Sequence, residues 1–152
     1  MTQIGRSYAT DRAIASSEEV DGPTLTQLAS SLDKETRRQV LLNVSVPLDL
    51  MLSLAAEFPY EFLSHPMLDL ALLEDPELYS RVPPGVLRNA LADEDCPESM
   101  ILWVCRNGHR QDQATIMKRP DLKLSWLRLL SKGRHPRIAE AALAQLIALG
   151  EP

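Results

Sequence analysis

One block constrains this chain more than any other feature. The stretch Arg38–Pro59 returns in degenerate form at Arg88–His109 and again at Gln113–Arg134. Arg88 aligns with Arg38, Asp93 with Asn43 and Pro97 with Pro47, while Ile101, Leu102 and Val104 fall on Met51, Leu52 and Leu54. In the third copy Thr115, Ile116 and Met117 fall on Val40, Leu41 and Leu42, and Trp126, Leu127 and Leu129 on Met51, Leu52 and Leu54. The copies are 50 and then 25 residues apart, so the segment between the first two has room for one more unit. A unit of about 25 residues with two short helical pieces cannot bury its own apolar face and is stable only when stacked on its like.

Helix signals fill in the unit. Leu and Ala dominate and aromatics are 5% of the chain, which favours helix on helix over a sheet. Leu48, Met51, Leu52 and Ala55 form one stripe, with Leu50 and Leu54 on a second side. A helix apolar on two sides is sandwiched between neighbours. Pro23 and the capping box Thr24-x-x-Gln27 predict the start of ordered structure. Asp33 reads as the N-cap of the next helix, Glu35 suits its first turn, and the helix is expected to stop near Asn43. Prolines 59, 66, 76, 83 and 84 cut the middle into short pieces, with helices expected at Met67–Leu73 and Glu77–Val82. His65-Pro66 echoes the Asn43 corner. The last helix is expected over Arg137–Leu149, with Ala139, Ala142, Leu143 and Leu146 inward and Gly150 as its C′ stop. Residues 1–22 are polar and aperiodic and are expected to be a disordered tail, leaving 23–150 as the helical-repeat domain.

The order Arg38, Leu41, Asn43, Pro47, with Leu54 and Ala55 after it, is echoed by Arg88, Leu91, Asp93, Pro97 and Val104. Over roughly Asp33 to Leu149 this resembles the leucine-rich repeat variant, a HEAT/armadillo-like bacterial family. The resemblance implies an all-α fold, a short right-handed α-solenoid (an armadillo-type α-α superhelix) of helix-pair repeats, and an interaction scaffold rather than a reaction. The usual Asn-Pro corner is blurred here to Asn43-Val44, His65-Pro66, Asp93-Glu94 and Lys118-Arg119. Some members carry an N-terminal iron–sulfur cluster on a group of cysteines; this chain has no Cys before Cys96, so no cluster is carried over.

Charge is distributed unevenly. The net charge is −5, yet Arg106–Ile138 holds nine Lys or Arg against two acids, and the 105 residues before it hold seven against seventeen. A solvated face is the default reading of such a stretch. The functional reading makes Arg106, Arg110, Lys118, Arg119, Arg128, Lys132 and Arg134 a contact for a partner protein with an acidic surface, with Trp103 as an aromatic anchor. Arg106, Lys132 and Arg134 fall in turns between units and Lys118 and Arg119 in a corner between helices, which predicts two basic edges. Nucleic acid is the alternative ligand. It ranks second because aromatic residues for stacking are scarce and the net charge is negative.

Chemistry finds little footing. No nucleophile motif or Gly-rich phosphate loop occurs, and the carboxylate clusters Glu74-Asp75 and Asp93-Glu94-Asp95 sit at helix ends, where capping accounts for them. Cys105 and His109 are four apart but lack the paired spacing of a zinc site, and Cys105 falls on an apolar repeat position. The expectation is a non-enzymatic protein with no catalytic residue, metal, cofactor or small-molecule substrate. Two cysteines, no apolar leader and no membrane-length apolar run lead to a cytoplasmic expectation.

Overall fold

Residues 7–151, which the computed structural model describes, form α-helices joined by short turns, with no strand. The helices divide between two compact units, Met1–Pro83 and Pro84–Pro152, with the boundary in the chain at the tandem prolines Pro83 and Pro84. The first unit holds α1 (Tyr8–Ala15), α2 (Gly22–Leu28), α3 (Lys34–Leu42), α4 (Leu48–Leu54), α5 (Pro59–Leu63), α6 (Leu68–Glu74) and a 3-10 turn at Leu78–Arg81. The second holds α7 (Pro84–Ala92), α8 (Glu98–Asn107), α9 (Arg110–Met117), α10 (Leu124–Ser131) and α11 (Pro136–Ala148).

Within each unit alternate helices start at a near-constant step. The starts at Tyr8, Lys34 and Pro59, and those at Pro84, Arg110 and Pro136, are 25 or 26 residues apart. In the first unit α3 lies against α1 and α5; in the second α9 lies against α7 and α11, while α8 lies against α10. Each unit's core is built from the buried sides of these helices, including Leu25, Leu41, Met51 and Phe62 in one and Leu91, Ile101, Ile116, Trp126 and Leu130 in the other.

Several expectations hold at atomic detail. Asp33 caps α3, its carboxylate accepting from Thr36 N at 3.1 Å. Pro47 and Pro97 stand at the same place, immediately before α4 and α8. Met51 and Leu54 are buried like their counterparts Ile101 and Val104. Gly150 follows α11 with φ 77°, a conformation that glycine adopts without penalty.

Others are corrected. The expected tail 1–22 is ordered from residue 7; residues 1–6 lie outside the described residues. Ser7 caps α1 by accepting from Thr10 N at 3.2 Å, Ala15 is fully buried, and Arg12 grips Asp33 through two bonds of 2.7 and 2.8 Å. This helix is ordered by polar contacts with α3, which apolar periodicity does not register. Asp21, not Thr24, caps α2, because Pro23 then falls in the first turn, where its missing N–H costs nothing. Glu77–Val82 yields only a 3-10 turn. In the third copy the step is 26, not 25: Trp126, Leu127 and Leu130 take the buried places of Met100, Ile101 and Val104, and Leu129 is half-buried. In α11 the inward residues are Ile138, Ala142 and Leu146, while Leu143 is turned out and 46% exposed.

Candidate functional site

Within each compact unit, helix corners are tied together by side chains that reach back to main-chain carbonyls. Asn43 Nδ2 donates to Ala15 O at 2.7 Å and Ser17 O at 2.8 Å, which lie 28 and 26 residues earlier. Arg119 Nη1 donates to Leu91 O and Asp93 O, again 28 and 26 residues earlier. The two residues are unlike in chemistry and equivalent in position. His65 takes a similar part: Met67 N–H donates to its Nδ1 at 3.0 Å, which leaves Nε2–H to donate to Asn43 O at 3.1 Å. Arginines tie alternate helices in the same way in both units. Arg38 Nε donates to Glu61 at 2.8 Å and the matching Arg88 Nε to Asp112 at 3.2 Å. The Arg shared by the two sequence blocks is therefore a bridge between alternate helices, α3 to α5 and α7 to α9.

This sorts the predicted contact residues. Arg119 is 8% exposed, and besides the two carbonyls it grips Asp121 through bonds of 2.9 and 3.0 Å. It is a structural tie, not a surface cation, and that corrects its assignment as a contact. Arg128 is exposed but paired with Glu151 at 3.0 Å. Lys118 is exposed at the α9–α10 corner, beside an open groove of about 810 Å³ that also carries Glu94 and Asp121. The charge there is mixed. Trp103 is half-buried on α8. Trp126 is core, its Nε1 donating to Glu98 at 3.2 Å and its ring lying under Lys123 at 5.4 Å.

The remaining cations gather elsewhere. Arg106 and Arg110 flank the α8–α9 turn, and Lys132 and Arg134 lie in the α10–α11 turn, with Arg137 just inside α11. The two turns are bonded side by side. Arg134 Nη2 donates to Asn107 O at 3.2 Å, and His135 Nε2 donates to Gly108 O at 2.9 Å. Gln113 Nε2 satisfies the end of α8 at Val104 O and Cys105 O, 3.0 and 3.2 Å away. Gly108 allows the tight exit from α8, since a Cβ there would fall 2.5 Å from Val104 Cγ1 and 2.7 Å from its carbonyl. Neither segment, 105–111 nor 131–138, contains an Asp or Glu. Among the described residues Arg106, Arg110, Lys132 and Arg137 are exposed and form no ion pair. This double turn lies at the far end of α9 from Lys118, about 12 Å away for eight residues at 1.5 Å each. The predicted basic residues thus separate into two edges, and only at the double turn do the connecting segments, 105–111 and 131–138, carry no Asp or Glu.

The sequence reading left Arg137 out of the contact set; the signal that would have included it is the absence of acids from 131–138. Cys105 is buried with its thiol pushed up to about 12, and the half-buried Cys96 to about 11, both by desolvation. Such thiols carry little thiolate near neutrality. Comparison with protein-family models, curated proteins and solved structures returns no match.

Proposed function

We propose that the chain is a non-enzymatic protein-interaction module, an adaptor or scaffold of the leucine-rich-repeat-variant kind. In this reading the helix pairs of each unit stack as in a short right-handed α-solenoid. The partner is a protein with an acidic surface, and it docks on the C-terminal unit. Three features support the stacking: the helix step of 25 or 26 residues, the layered contacts, and the carbonyl ties at Asn43 and Arg119. The observation that carries the docking is the double turn, where cations of the α8–α9 and α10–α11 turns form no ion pair among the described residues. A cytoplasmic setting suits the two free cysteines. Among the described residues no helix is long and apolar enough to cross a membrane.

The test is affinity capture from a bacterial lysate, with and without nuclease, using the wild type and an Arg106→Glu/Lys132→Glu variant. The module reading expects a discrete protein that survives nuclease and is lost with the variant. Binding that is broad and vanishes with nuclease would overturn it in favour of phosphate contacts.

A further inference from the structure

The double turn can be read one step further, resting on the adaptor reading above. We infer that it is a binding site for an acidic segment of the partner, held extended across the two turns with its carboxylates on Arg106, Arg110, Lys132 and Arg137. Arg106 lies in the last turn of α8 and Lys132 directly after α10; Arg110 opens α9 and Arg137 is the second residue of α11. The cations therefore form two matched rows, one on each turn. Packed helices stand about 8–10 Å apart, and three residues of an extended chain span about 10 Å. Acids two or three residues apart can reach successive rows.

The site is built rather than incidental. The Arg134 and His135 bonds fix one turn to the other, and Gln113 and Gly108 fix the exit from α8. Two carboxylates neighbour these segments in sequence. Asp112 is buried and held by Arg88, and Glu140, one turn beyond Arg137, forms no ion pair with it. Cations left this way repel one another until an anion arrives.

The chemistry favours a peptide over a nucleic acid. Neither segment has a Trp, Tyr or Phe on which a base could stack. The chain's net charge of −5 opposes a long polyanion more than a short acidic segment that touches one edge.

The test is fluorescence anisotropy of a labelled Glu-rich peptide, beside a single-stranded oligonucleotide of similar charge, on the full chain. The variant is Arg106→Ala/Lys132→Ala/Arg137→Ala, none of which breaks an internal side-chain bond. The control is Lys118→Ala/Arg128→Ala at positions outside the site. Three surface cations lost together are expected to weaken peptide binding about tenfold, with the control within about twofold of wild type. Equal losses in both variants mean diffuse charge and overturn the site, as does a peptide that fails to bind. Tighter binding of the oligonucleotide overturns the choice of ligand. The adaptor reading fails separately: a captured partner retained in full by the triple variant leaves the adaptor standing and removes this site. Peptide binding lost in the triple variant, with no protein captured by wild type, does the reverse.

Discussion

Asn43→Ala should loosen the N-terminal helix from the rest of its unit. The side chain makes three bonds: Nδ2 donates to Ala15 O and Ser17 O, and Oδ1 accepts from Ser45 N at 2.8 Å. Asn43 is 6% exposed, so water cannot readily replace them. At a net value of about 1 kcal/mol for each bond, the substitution should cost about 3 kcal/mol. For a chain of 152 residues that lowers Tm by about 6–12 °C in a calorimetric or circular-dichroism melt. Val44→Ala next door, at a half-exposed site, should change stability by about 0.5 kcal/mol or less. Asn43→Asp should be no better than Ala, since a carboxylate cannot donate to carbonyls. In a chain lacking residues 1–20 the Asn43→Ala cost should fall to about 1 kcal/mol, the Ser45 bond alone. If Asn43→Ala melts with the wild type, or costs as much without the N-terminal helix as with it, the corner tie is not what orders α1.

Three further outcomes follow from the same contacts. Arg119→Ala should destabilise the chain by about 2–4 kcal/mol, because Leu91 O and Asp93 O lose a charged donor; a denaturant titration that finds no change would return Arg119 to the surface set. Leu146→Ala should cost about 2–5 kcal/mol and Leu143→Ala far less, since only Leu146 is buried; equal costs in urea melts would place the inward face of α11 wrongly. The Arg12 guanidinium, with Thr36, holds the Asp33 carboxyl well below the usual carboxylate range. Its stabilisation is therefore complete above the unfolded carboxylate pKa of about 3.9 and fades as pH falls through the lower folded value. The Tm gap between wild type and Asp33→Asn should stay constant from neutrality down to mildly acid pH and close only below that, and a gap that closes near neutrality would contradict the pairing with Arg12.

Much of the architecture is legible in the sequence because apolar spacing and proline placement are local signals. The match of Pro47 to Pro97 and of Met51 to Ile101 can be read from letters and reappears as equivalent positions and burial. Helix α1 is not legible in this way. Its order comes from Arg12 on Asp33 and Asn43 on Ala15 and Ser17, which are 21 to 28 residues apart and polar. The register of the last copy slips by one because nothing in Trp126-Leu127-Arg128-Leu129-Leu130 tells which leucine turns inward until Trp126 is placed. The basic edge was half legible. Its residue types and turns were visible, but separating Arg119 and Arg128 from Arg106 and Lys132 requires knowing which cations already hold a partner. Arg119 in particular reads as charge and acts as an asparagine.

Hydrogen exchange on the chain with and without a bound acidic partner tests the central claim most directly. The claim is that contact is made at the double turn of the C-terminal unit. It predicts slowed exchange concentrated in residues 105–111 and 131–138, with the α9–α10 corner and the first unit unchanged. Protection centred on the corner around Lys118, or spread over the first unit, would contradict it.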